Sequence, residues 1–148
     1  MTGSKQFALA ALTVVLTATA LLFVMPDAEK VGCVARSTII SRGQDWVDKG
    51  IPYDKTYDQY RTDCSGFVSM AWGLPRPGHT TSTLGSVSRE ISKGELQSGD
   101  VLLNAGLHVA MFVNWNDGGK NTYLMMEESA GDGKAVKKIC EYPFYDHK

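Results

Sequence analysis

The sequence lacks most of the features that assign a chain to a class at sight. It has no lysine- or arginine-rich run and no acidic tail, and 15 basic against 16 acidic residues leave a formal charge of -1. Nothing in that balance favours nucleic acid, and diffuse electrostatics choose no partner. Cysteine and histidine are scarce at three each, and Cys33, Cys64 and Cys140 stand far apart. No CxxC or HExxH spacing exists, so a zinc site is not expected, and no metal or organic cofactor is indicated. Internal repeats and low-complexity linkers are also missing. With 43% hydrophobic and 21% charged residues, the remainder reads as one compact domain.

One long apolar run is present. It extends from Phe7 to Met25, follows Lys5 and stops at Pro26-Asp27. A positive flank before an apolar core reads as a secretory signal peptide. Its length also approaches the span of about 17–25 residues that an N-terminal membrane anchor needs. A buried domain helix would require a large core to cover it on every side. Residues 1–25 are therefore expected to be a signal peptide or anchor, with Ala18-Thr19-Ala20 the best small-residue cleavage candidate. Residues 27–148 form the single exported domain, secreted or extracytoplasmic. In an oxidising compartment Cys33 and Cys140, near the two ends of that domain, are a candidate disulfide. Such a bridge would close a loop of about 100 residues and contribute a few kcal/mol. Two unpaired thiols are the alternative, and Cys64 is the odd one out in either case.

Apolar positions Ile39, Ile40, Trp46 and Val47 recur at helical spacing between Arg36 and Lys49, with Gly50 as a stop. Cys64 to Trp72 predicts a short helix with Asp63 as N-cap and Gly73 just past its end. "GLPRPGHTTSTLGS" is a long irregular connection, and "ELQSGDVLLNAG" predicts a polar turn followed by a strand. "HVAMFVNW" and "TYLMMEES" then flank Asn116-Asp117-Gly118-Gly119, and "AVKKI" adds a further strand. Helices first and strands afterwards indicate an α+β fold. Asp-Gly favours a two-residue type I′ hairpin, in which Asn116 would face Gly119. His108 would then lie directly opposite Glu127, and Met111 opposite Leu124. Glu128 would be excluded from the His108 face by alternation.

A cysteine that opens a helix meets unpaired N–H groups and the positive end of the helix dipole, which favour a thiolate nucleophile. Ser65 and Gly66 leave room for a carbonyl to approach, and nearby N–H groups are candidate oxyanion donors. A histidine would take the thiol proton and return it to a leaving amine, oriented by a polar third group. Of the three histidines, His147 adjoins the C-terminus and His79 lies in a Pro/Gly-rich loop. His108 starts a strand with an acid predicted across from it. Against this, a lone cysteine is usually a small buried hydrophobe, a strand histidine is often a core residue, and Glu127 could be a solvated strand-end charge.

These residues resemble the NlpC/P60 family of cysteine peptidases. "DCSGFV" at Asp63–Val68 is similar to its nucleophile motif, and "GIPY" at Gly50–Tyr53 to the segment before it. "LPR", Thr81-Ser82, "LQSGDVLL", "HVAMFVNW" and "MMEES" follow in the family's order, so the resemblance runs from about Arg36 to Ile139. It implies a papain-like α+β fold, with the nucleophile helix packed on an antiparallel sheet. It also implies hydrolysis of peptidoglycan stem peptides, typically beside D-glutamate and a diamino acid; a monomer is expected. Carried over, Cys64 matches the nucleophile, His108 the general base, and Tyr53 a site-lining tyrosine that assists oxyanion or substrate binding. Asp63 and Ser65 match positions that receive the peptide's free amine, although Asp63 is equally an N-cap. Two departures stand out. Glu127 occupies the place usually held by His, sometimes Asn or Gln. "DKTYDQYR" at Asp54–Arg61 lacks the Trp-Gly-Gly stretch often found there, which bears on specificity. The same site on a different amide, in an amidase or acyl-transfer enzyme, is the nearest alternative. An inactive peptide-binding module is the other.

Overall fold

The computed structural model describes residues 33–54 and 59–143. The leader, His147 and half of the departure after Tyr53 (residues 55–58) lie outside the described residues. Helix α1 covers Arg36–Lys49 and helix α2 covers Cys64–Trp72. Strands β1 (Val101–Asn104), β2 (His108–Trp115), β3 (Thr122–Ser129) and β4 (Lys134–Glu141) follow. They form an antiparallel meander in the order β1-β2-β3-β4. The expected α+β class is what the chain adopts.

Both helices end where glycine permits a left-handed residue. Gly50 has φ 58° and Gly73 has φ 71°, and each donates its N–H back to the last helical turn. Asp63 begins α2 from an extended conformation, and its carboxylate accepts the Gly66 N–H at 2.7 Å. Gly66 is required for a different reason. A Cβ there would lie 1.7 Å from the Arg61 carbonyl oxygen, because the incoming chain crosses directly over the first helical turn.

One face of the sheet carries Val109, Met111, Met126 and Ala135 against Phe67, Val68 and Ala71 of α2, with Ile39, Ile40, Trp46 and Val47 of α1 closing the layer. Phe67, Val68, Met111 and Met126 are fully buried, and a large apolar side chain so placed contributes about 1.5–3 kcal/mol. A second cluster, Ala110, Phe112, Tyr123 and Met125, lies on the other face, covered by Leu96, Trp115, Cys140 and Tyr142. The sheet alternates as a strand with two apolar faces must.

The β2–β3 connection is longer than a type I′ turn. Asn116 donates to the Thr122 carbonyl at 2.9 Å, closing a wider loop, and Lys120 takes a left-handed φ of 57°. Asp117 leaves the turn centre to serve as an anchor, its carboxylate receiving the Thr122 N–H at 2.6 Å. Met111 consequently pairs with Met126, not Leu124, and a bulge between Phe112 and Asn114 shifts the register again. Near the site the displacement is two residues, an even number, so the assignment of faces survives although the direct partners change.

The expected Cys33–Cys140 disulfide is not formed, and both residues are free thiols. Cys33 is exposed ahead of α1, whereas Cys140 packs into the cluster on the sheet face away from the helices. Among the described residues no helix is long and apolar enough to cross a membrane.

Candidate functional site

The start of α2 is built around Asp63. Its Oδ1 accepts from the Gly66 N–H and, at 3.0 Å, from the Ser65 hydroxyl, while Oδ2 accepts from Arg61 Nε at 2.9 Å. The Arg61 guanidinium also donates to Ser65 Oγ at 3.3 Å and to the carbonyls of Gly78 and His79 at 3.2 and 2.7 Å. The first intrahelical bond runs from the Phe67 N–H to the Asp63 carbonyl, so the N–H groups of Cys64 and Ser65 lie ahead of it. Cys64 itself is 8% exposed, just accessible at the end of the core.

His108 opens β2 at the same end of the molecule. Its Nε2 is hydrogen-bonded to Glu127 Oε2, which leaves Nδ1 as the ring nitrogen available to Cys64. Burial disfavours the charged ring, but hydrogen bonding and charge from Cys64 and Glu127 outweigh it and raise the His108 pKa to about 9. Glu127 is almost fully buried. Burial works to raise its pKa, yet the bonds from His108 and Lys138 hold it below the ordinary value. Thiol, imidazole and carboxylate therefore meet, with a charged imidazole favoured at neutral pH.

Alternation places Glu128 with Met126 on the helix-covered face, as expected from the sequence. Its carboxyl is fully buried, and neither oxygen has a hydrogen-bond partner. Burial, with Asp63 and Glu127 nearby, pushes its pKa up to about 8, so it is held as the neutral acid. Tyr53 is held to the turn before β4 by its N–H, which donates to the Gly133 carbonyl at 2.9 Å. Its phenol pKa is raised by burial and by the charges of Cys64, Asp63 and Glu128, which locates the ring beside the helix start.

No family model and no curated protein matches the sequence. Among solved structures, the peptidoglycan hydrolase RipB from Mycobacterium tuberculosis is similar at a TM-score of 0.54 and 18% identity. The likeness is one of fold. It covers 74% of this chain and 60% of the RipB chain, so the protein spans about three fifths of that structure's length. Its helices on an antiparallel sheet follow the RipB architecture.

The six candidate catalytic and substrate-binding residues singled out in the sequence lie in this region: His108 meets both Cys64 and Glu127, and Tyr53, Asp63 and Ser65 lie around the helix start. His79 is not among them; its Nδ1 pairs with Thr83 Oγ1 at 3.3 Å. In the sequence Glu128 is assigned to its face, but neither Arg61 nor Lys138 is singled out. Arg61 adjoins the "DCSG" motif, but nothing local reveals that it reaches two carbonyls 17 and 18 residues away. Lys138 is delivered by the β3–β4 register, which no motif in the sequence fixes. A cavity of about 920 Å³ lies elsewhere, between the segment Gly85–Gln97 and β1, and none of the site residues lines it. Among the described residues no three His, Cys, Asp or Glu side chains are grouped to hold a metal.

Proposed function

We propose that this chain is an exported cysteine endopeptidase that hydrolyses amide bonds in bacterial cell-wall stem peptides, with Cys64, His108 and Glu127 as its triad. The observation that carries the reading is the contact of His108 with both Cys64 and Glu127 at the start of a helix. The similarity in fold to a peptidoglycan hydrolase supports the substrate class. The starting state is the Cys64 thiolate paired with the His108 imidazolium, the thiol proton already resting on the ring, and the thiolate attacks the scissile carbonyl. The N–H groups of Cys64 and Ser65, with the Tyr53 hydroxyl, receive the developing oxyanion. The imidazolium returns its proton to the leaving amine, and water then cleaves the thioester with the same ring as base. Glu127 orients the imidazole and stabilises its charge.

Digestion of purified peptidoglycan by the protein and by Cys64→Ala, with mass spectrometry of released fragments, tests this. Fragments unique to the wild type identify a hydrolase and the bond it cuts. A folded, thiol-reactive wild type that releases none refutes the cell-wall assignment.

One observation favours a second reading, an amidase or acyl-transfer enzyme with the same site. Asp63 has both oxygens engaged, one of them by the Arg61 cation, which opposes its receiving a free peptide amine. Comparing stem peptides with free and acetylated N-termini separates the two. Preference for the free amine refutes the second reading.

A further inference from the structure

The two carboxylate oxygens of Glu127 face different partners. Oε2 is turned to His108, and Oε1 accepts from Lys138 Nζ at 2.9 Å. The same ammonium donates to Asp132 Oδ2 at 3.0 Å. Asp132 is fixed in the turn between β3 and β4, where its carboxylate accepts from the Ser129 hydroxyl at 2.6 Å and its N–H donates to Ser129 Oγ at 3.1 Å. Lys138 stands opposite Met125 on β4, so it reaches Glu127 diagonally across the sheet. Its neighbour Lys137 turns the other way and bonds Gln44 of α1 at 2.8 Å.

The burial of the partners sets this ion pair apart from an ordinary surface one. The Glu127 side chain is 3% exposed and that of Lys138 is 40% exposed. An exposed pair contributes little, but a buried carboxylate oxygen deprived of its donor bears the whole cost of desolvation. We propose that Lys138 is a positioning residue of this site: braced by Asp132 and Ser129, it fixes which Glu127 oxygen faces His108 and moderates the negative charge presented to the ring. The inference rests on Cys64, His108 and Glu127 being the reacting group.

The charge argument has a definite sign. A cation on the far oxygen of Glu127 opposes an imidazolium on the near one. Removing it strengthens the hold of the His108–Glu127 pair on its proton, so the pair titrates at higher pH. The other titratable groups near this pair are Cys64 on α2 beside His108, and Cys140 on β4 and Glu128 on β3 beside Glu127; Tyr53 and Asp63 neighbour Glu128, and Lys134 stands beside Asp132. A change confined to Lys138 leaves all of them in place.

The test is an NMR titration of the His108 ring in the full-length chain carrying His79→Gln and His147→Gln, so that one imidazole remains. The midpoint is expected near 9. Lys138→Met moves it upward by about half to one pH unit, and Lys138→Arg restores it. Amide spectra establish that each variant is folded, and Lys138→Gln carries the same expectation if the methionine variant is not. An unmoved midpoint in a folded Lys138→Met or Lys138→Gln protein overturns the proposal. The titration needs no substrate. A shifted midpoint in a protein that cuts no peptidoglycan supports the role of Lys138 while refuting the cell-wall assignment.

Discussion

Replacing Glu128 with glutamine removes one titration from the interior and nothing of its volume. In the folded protein Glu128 keeps its proton up to about pH 8, whereas the ordinary value for the side chain is 4.5. Between those limits the unfolded chain releases a proton that the folded chain retains. The raised pKa therefore gives stability that is complete below pH 4.5 and lost progressively as pH rises to about 8. At about 1.4 kcal/mol per pH unit, the loss across that window reaches about 5 kcal/mol. The glutamine variant has no such term. Its amide adds a constant penalty of about 1–3 kcal/mol, because buried donors find no acceptor. The difference in unfolding free energy between wild type and Glu128→Gln should thus favour the wild type by about 1–3 kcal/mol in acid, pass through zero within the window, and level off with the variant favoured by about 2–4 kcal/mol above it. Urea denaturation of both proteins at intervals from below pH 4.5 to above pH 8 measures this directly. His108 and Glu127 are present in both proteins, and their contributions largely cancel. Parallel stability curves would refute the claim that Glu128 is a buried neutral acid.

Two further outcomes follow from the geometry. Gly66→Ala forces a methyl group to within 1.7 Å of the Arg61 carbonyl oxygen, so α2 cannot start as it does; a loss of about 3 kcal/mol or more is expected, read as a lowered melting midpoint or failure to fold. Glu127→Gln removes the charge that helps to hold His108 protonated, so the alkaline limb of kcat/KM falls from about 9 toward 6.5 and kcat drops by about 10²-fold or more. A variant with wild-type kcat and an unmoved limb would exclude Glu127 from the triad.

Short-range features of the fold were legible because local chemistry fixes them. Asp63 as cap, Gly50 and Gly73 as stops, and the spacing of Ile39, Ile40, Trp46 and Val47 delimit both helices without reference to the rest of the chain. The contact of His108 with Glu127 was anticipated through a turn type that the chain does not use. It survived because the wider loop displaces the partner strand by two residues near the site, and side chains repeat with that period. An odd displacement would have turned Glu127 away and brought Glu128 round. What stayed hidden depends on distant parts of the chain meeting. The reach of Arg61 to Gly78 and His79, the β4 register that delivers Lys138, and the opposite locations of Cys33 and Cys140 have no signature in any short window.

Arg61 ties the first turn of α2 to the backbone of Gly78 and His79 with a single side chain. That cation makes the segment around His79 a fixture of the helix start. Any exchange of this segment with that of another protein has natural graft points at the two carbonyls Arg61 holds. A transplanted loop would inherit its position only if it presents two acceptors at the same places. Loop diversification in a library would succeed between residues 80 and 83 far more readily than across 78 and 79.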